Sequence, residues 1–170
     1  FASSHPIASN AGIEVLNDGG NALDAALVMS ITLCMAEPHM TGIGGDCFAL
    51  ITEDGSTKNL KAINASGYAG NKYNSSKILT EKGINEIDAN MPHSVTIPGA
   101  LSGWEILHQN YGKKSWKEVF QIALSYISDG VLVNERVSLD WLRNEGKLLE
   151  DPDTKLIFLN NSKSFKFKEL

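Results

Sequence analysis

Four histidines, two cysteines and one glycine-rich loop are the residues here whose types could do chemistry. His5, His39, His93 and His108, with Cys34 and Cys47, show none of the paired ligand spacings of zinc sites, so no metal is expected. His108 falls on a helical pattern whose Trp104 and Leu107 face inward, which predicts a solvated imidazole. A Ser/His/Asp triad lacks its locating signal, because no G-x-S-x-G elbow occurs. The loop Gly42-Ile43-Gly44-Gly45-Asp46 follows a helical pattern and precedes a strand pattern. Phosphate cradles need the reverse order, with a helix N-terminus behind the phosphate. The loop therefore reads as a tight backbone crossing, its glycines taking angles that other residues avoid. Cys34 and Cys47 each lie in an apolar stretch and read as packed free thiols in preference to a disulfide. Trp104, Trp116 and Trp141 read as core anchors.

The elements that must position these residues begin with a helix in SHPIASNAGIEVLNDGG. Ser4 is the expected cap, Pro6 suits the first turn, Ile7, Ala11 and Val15 form the inward stripe, and Gly19-Gly20 ends the helix. Asn21 opens the next helix, with Asp24 close to its first-turn amides. From Ala25 to Ala36 that helix is apolar almost all round, the mark of a helix flanked on several sides, and Pro38 stops it. The run Cys47–Thr52, the Asp54-Gly55 turn signal and Leu60–Ile63 predict an antiparallel pair. A short helix is expected over Ser75–Lys82. Another opens at Pro98, with Leu101, Trp104, Leu107 and Tyr111 on one face, and stops at Gly112. Ser115 and Glu118 form a capping-box pattern for a helix reaching about Asp129. A further helix from Asn134 to about Leu149 is expected to be interrupted at Gly146, and Leu156–Leu159 reads as a strand. Segregated strands and helices make the class α+β. One all-apolar helix beside one two-stranded unit leaves the sheet short, so the fold is expected to be incomplete within these residues.

Apolar residues make up 42% and charged residues 21%, which excludes wholesale disorder. The net charge of -5, with scattered lysines, gives no clustered basic face, so no nucleic-acid partner is expected. The most apolar stretch is too short for a membrane span of roughly 20 residues. The first residue is Phe1, so the lack of a secretory signal carries no information on compartment.

Three motifs together, GGNALDAAL, EPHMTGIGGD and TIPGALSGW, resemble the γ-glutamyltransferase family. The likeness extends through YGKKSWKEVFQIALSYISDGVLVN to the tail FLNNSKSFKFKEL, and so over nearly all of residues 1–170. It implies an N-terminal-nucleophile hydrolase with an αββα sandwich, of which this chain is the front part of the large subunit. It further implies a precursor that cuts itself, exposing a threonine whose own α-amino group serves as base. No cofactor is implied. The implied partners are a γ-glutamyl or other small amide substrate and the chain's own remaining C-terminal part, the small subunit. The nucleophile has no counterpart among these residues, so no catalytic residue is expected here and the fragment alone should be inert.

One departure bears on substrate. Glutathione-acting members carry a sequence like DFRExAP after the second strand, whose arginine holds the α-carboxylate of the γ-glutamyl group. Here the corresponding stretch is Asn64-Ala65-Ser66-Gly67-Tyr68-Ala69-Gly70, and Ser66 falls on the arginine position. A serine offers a neutral hydrogen bond in place of a two-pronged charged one. The stretch is closer to the NGSGRAP variant of acylase-like and oxamate-hydrolysing relatives, with Tyr68 in place of that arginine. The resemblance thus assigns Ser66 and Tyr68 to the acyl pocket. Either the substrate is a different amide, or the loop has diverged and another basic residue serves.

Overall fold

A computed structural model describes residues 2–72, 74–89 and 91–170. In chain order the elements are α1 (Pro6–Asn17), α2 (Ala22–Ala36), β1 (Cys47–Ile51), β2 (Lys61–Ala65), α3 (Ser75–Lys82), α4 (Ala100–Tyr111), α5 (Trp116–Ile127), α6 (Glu135–Glu150), α7 (Pro152–Phe158), β3 (Leu159–Asn160) and β4 (Lys163–Ser164). They form two compact units, one of the residues up to Thr41 with Lys113–Leu170, the other Gly42–Gly112.

The first unit is helical. Ser4 does not cap α1; His5 does, its Nδ1 accepting from the Ile7 N–H at 3.3 Å. Ser4 instead donates its hydroxyl to Glu37 Oε2 at 2.6 Å. Gly19, with φ +80°, makes the left-handed turn, and at Gly20 a Cβ would stand 2.6 Å from Val15 Cγ1. Asn21 and Asp24 close a reciprocal capping box at the start of α2. Val15 of α1, Val28 and Thr32 of α2, and Val119 and Ala123 of α5 have no exposed surface, and these three helices pack on one another. The buried Asp24 carboxylate also accepts from the Lys113 and Lys114 N–H groups at 3.1 Å, fixing the entry to α5. Ser115 and Glu118 form the expected capping box there.

Three further expectations need correction in this unit. The helix that reads as apolar on all sides buries one face fully and leaves the rest half-buried or exposed, with Ala22 and Ala26 exposed. α6 runs through Gly146 without a break: open space surrounds that glycine, and a lone glycine in a helix costs only about 1 kcal/mol. Glu145 beside it is tied to β4, accepting from the Ser164 N–H at 2.8 Å. The supposed strand at Leu156–Leu159 is the end of α7, which Pro152 starts at the first position and Asp151 caps by accepting from the Thr154 N–H. Only Leu159 is extended, pairing with Ser164.

The second unit is an antiparallel hairpin with α4 against both strands. Register runs from Cys47 opposite Ala65 to Ile51 opposite Lys61. The turn is longer than the Asp54-Gly55 signal suggests. Asp54 accepts from Thr52 Oγ1, the Ser56 N–H and Asn59 Nδ2, and a 3-10 turn follows at Thr57–Asn59. These three donors hold the Asp54 carboxyl below its ordinary range. α3 has the expected bounds, with Asn74 as cap and Gly83 left-handed at φ +62°. α4 starts at Ala100 behind Gly99, two residues later than the proline signal, and Leu101 is exposed while Ala100, Gly103, Trp104 and Leu107 are buried. His108 is half-buried and not fully solvated, its ring lying against Gly112.

Candidate functional site: the loop after the hairpin

The residues with the greatest chemical interest sit where β2 ends. The loop Ser66–Tyr68 turns through Gly67, whose φ of +78° belongs to the left-handed region. Asn64 Oδ1 accepts the Ser66 N–H at 3.1 Å, folding the entrance of the loop on itself. Thr96 Oγ1 donates to the Ser66 carbonyl at 3.0 Å, and the Ile97 N–H donates to the Tyr68 carbonyl at 2.9 Å. The segment just before α4 therefore straps the loop through main-chain atoms.

Glycines make that approach possible. A Cβ at Gly67 would fall 1.8 Å from the Ile97 carbonyl oxygen, and one at Gly99 would fall 2.3 Å from the Ala65 carbonyl oxygen. At Gly103 a Cβ would lie 2.7 Å from that of Ala65. None of these sites has room for a side chain without a backbone shift. The Gly45 carbonyl completes the junction by accepting from the N–H groups of Gly99 and Ala100, both at 3.0 Å. Of the Gly-rich loop, expected as a tight crossing throughout, only Gly45 closely crosses another segment among the described residues. Gly42, Gly44 and Gly45 have no positive φ, and Gly42 and Gly44 meet nothing that a Cβ would touch.

The two side chains singled out in the sequence are adjacent on this loop and play little part in holding it. Tyr68 is 84% exposed. Ser66 is half-buried, its hydroxyl making, among the described residues, a single long 3.5 Å contact with the Gly67 carbonyl. Past Gly70, a groove of 440 Å³ is lined by Lys72, Asn74, Lys77, Glu81, His93 and Val95, with Lys77 paired to Glu81 at 3.6 Å. Thr96, Asn64 and Gly67 are not legible in the sequence as site residues, although Thr96 opens the motif TIPGALSGW. Nothing local to Thr96 says which carbonyl it will reach thirty positions back along the chain.

The remaining reactive groups are accounted for by packing. Cys34 and Cys47 are free thiols, and burial pushes both above the usual thiol value, Cys47 also through the nearby Asp46 carboxylate. Among the described residues, no group of three or more His, Cys, Asp or Glu is placed to hold a metal ion. His39 lies 3.4 Å from Asp140 and edge-on to Trp141. Trp104 is buried, Trp116 stacks edge-to-face on Phe120, and Trp141 does so on Phe158 and Phe165. Among the described residues no helix is long and apolar enough to cross a membrane.

Comparison of the fold finds gamma-glutamyltranspeptidase of Helicobacter pylori at a TM-score of 0.88 and 25% identity, over 99% of this chain and 48% of that one. It also finds cephalosporin acylase from Bacillus halodurans at 0.85 and 28% identity, over 98% of this chain and 32% of that one. The architecture is therefore α+β and part of an N-terminal-nucleophile hydrolase fold. By sequence, the chain is 34% identical to the glutathione hydrolase-like YwrD proenzyme of Bacillus subtilis, over 95% of this chain and 30% of that protein. It is 32% identical to the acylase ACY 1 proenzyme of a Pseudomonas species, over 95% of this chain and 30% of that protein. The gamma-glutamyltranspeptidase family model matches residues 8–170, and the chain belongs to that family. It spans about a third or less of the length of the curated relatives named here.

Proposed function

We propose that this chain is the front part of the large subunit of an autoprocessing amidohydrolase that transfers or hydrolyses γ-glutamyl amides such as glutathione. Its residues supply scaffold and one wall of the acyl pocket, with Ser66 and Tyr68 facing the acyl group. The nucleophile would be a threonine exposed by self-cleavage outside residues 1–170, its hydroxyl attacking the amide carbonyl while its own amino group takes the proton. On its own the chain would be inert. The observation that carries the pocket assignment is the loop itself: its main chain is strapped at both carbonyls, while Tyr68 stands 84% exposed. A side chain outside the packing and on a fixed backbone is suited to touching a ligand.

A second reading is that the substrate is another small amide, and Ser66 favours it. The charged fork expected for a γ-glutamyl α-carboxylate is replaced by one neutral hydroxyl, and two of the similar proteins are named acylases. A third possibility keeps the carboxylate and moves its partner: Lys72 and His93 line the groove that begins at Gly70.

The test uses the longer protein that joins this chain to the family's small-subunit region. Denaturing mass spectrometry should show two pieces, the smaller starting with threonine. A single uncut chain would instead support a non-catalytic relative. On the processed enzyme, kcat/KM is compared for a γ-glutamyl amide and a neutral acyl amide. Ser66→Arg should favour the γ-glutamyl amide by about tenfold relative to the native enzyme. Lys72→Met should weaken the γ-glutamyl amide selectively only under the third reading. Unchanged kinetics in both Ser66→Ala and Tyr68→Ala would remove this loop from the pocket.

A further inference from the structure

The strap across the loop does more than hold it. The Thr96 hydroxyl is an exposed group whose hydrogen bond runs to the Ser66 carbonyl at 3.0 Å, and the next residue's N–H reaches the Tyr68 carbonyl at 2.9 Å. The two anchored carbonyls belong to the two residues whose side chains are assigned to the acyl pocket. Gly67 between them has a left-handed φ of +78° and no room for a Cβ against Ile97. The Ser66–Gly67 and Tyr68–Ala69 peptides therefore cannot flip without losing one of these bonds. Among the described residues, every short contact that fixes its height is made by main chain on the loop's side. The side chains at 66 and 68 are left free to vary.

We propose that Thr96 is a positioning residue for the acyl pocket, setting the location of Ser66 and Tyr68 through the Ser66 carbonyl, and that positions 66 and 68 form an exchangeable pair on a backbone fixed independently of them. This rests on the reading of the loop as a pocket wall. Thr96 touches no substrate. Removing its hydroxyl frees one end of the loop while the Ile97–Tyr68 bond holds the other. Binding of the acyl group then weakens, because the contacts made from positions 66 and 68 are no longer held in one place. A valine at 96 keeps the β-branched shape and lacks the donor, and a serine keeps the donor.

The experiment measures kcat, KM and thermal midpoint for Thr96→Val, Thr96→Ser and Ser66→Ala in the complete processed enzyme, with its best amide substrate. The expected result is a loss of roughly three- to tenfold in kcat/KM for Thr96→Val, mostly in KM, with the self-cleavage yield unchanged. Thr96→Ser should restore most of it. A thermal midpoint that falls equally in the valine and serine variants, with kinetics tracking stability and not the hydroxyl, would overturn the proposal. So would a Thr96→Val enzyme with native KM, provided that Ser66→Ala alters the kinetics. If Ser66→Ala and Tyr68→Ala are both silent, the pocket assignment fails instead, and Thr96→Val is expected to be silent with them. Gly67→Ala gives an independent check: it should shift KM in the same direction as Thr96→Val, and a native KM there would also count against the strap.

Discussion

At the scale of single residues, the structure reassigns roles among neighbours. His5, not Ser4, caps the first helix, because Pro6 begins the helix immediately behind it and Ser4 turns to Glu37. The cap uses Nδ1 as an acceptor, so the proton of the neutral ring sits on Nε2, which is buried and has no hydrogen-bond partner among the described residues. Burial holds this imidazole below its ordinary value of 6.5, with the Glu37 carboxylate pulling the other way. The folded chain thus takes up the proton less readily than the unfolded one, so stability from this group rises with pH. It is fully present above pH 6.5 and is lost as pH falls through the lower folded value. His5→Asn keeps an acceptor at the cap and removes the titration. Urea midpoints measured from about pH 7 down to about pH 5 should therefore fall less steeply in that variant than in the native chain. Parallel slopes in the two proteins would show that His5 does not contribute to the acid sensitivity.

At the scale of elements, one buried carboxylate organises two helix starts. Asp24 accepts from the Asn21 N–H at 2.9 Å in the capping box of α2 and from the amides of Lys113 and Lys114 before α5. Asp24→Ala should cost about 3 kcal/mol, since it removes the acceptor of three part-buried amide hydrogen bonds at once. Asp24→Asn should cost less, because one side-chain oxygen remains to accept. Equilibrium urea unfolding reads both, and an alanine variant within about 0.5 kcal/mol of native would mean that water replaces the carboxylate. The capping half of this device was legible, since Asn21 and Asp24 stand three apart before an apolar run. The long-range half was not, because nothing near Lys113 indicates a partner some ninety residues earlier. At α7 the local start signal Asp151-Pro152 outweighs the strand-like run Leu156–Leu159. At Gly146 a local breaker is overruled, α6 running on past the Glu145 tie to Ser164.

At the scale of the whole molecule, each unit leaves apolar surface uncovered. On β1, Phe48 and Leu50 stand two apart on one face and are 64% and 70% exposed. On α2, Met35 is 53% exposed. Contiguous apolar surface of this kind marks an interaction face or an aggregation liability. The isolated chain of residues 1–170 should therefore bind a hydrophobic reporter dye while retaining helical circular dichroism, and Phe48→Ser with Leu50→Thr should reduce the binding. A native-like chain with no dye enhancement would show that these faces are covered in solution.

The sequence by itself determined most of the helices, the capping boxes at Asn21 and Ser115, the hairpin and the family, because these depend on local spacing and on motifs read in order. The resemblance read from it also proposes Ser66 and Tyr68 as residues of the acyl pocket. Only the tertiary structure decided what holds those two residues. A hydroxyl at Thr96, an amide at Ile97 and missing Cβ atoms at Gly67, Gly99 and Gly103 meet the loop across some thirty residues of chain. Such contacts depend on close approach between separate segments, and no periodicity or spacing encodes which donor will meet which carbonyl.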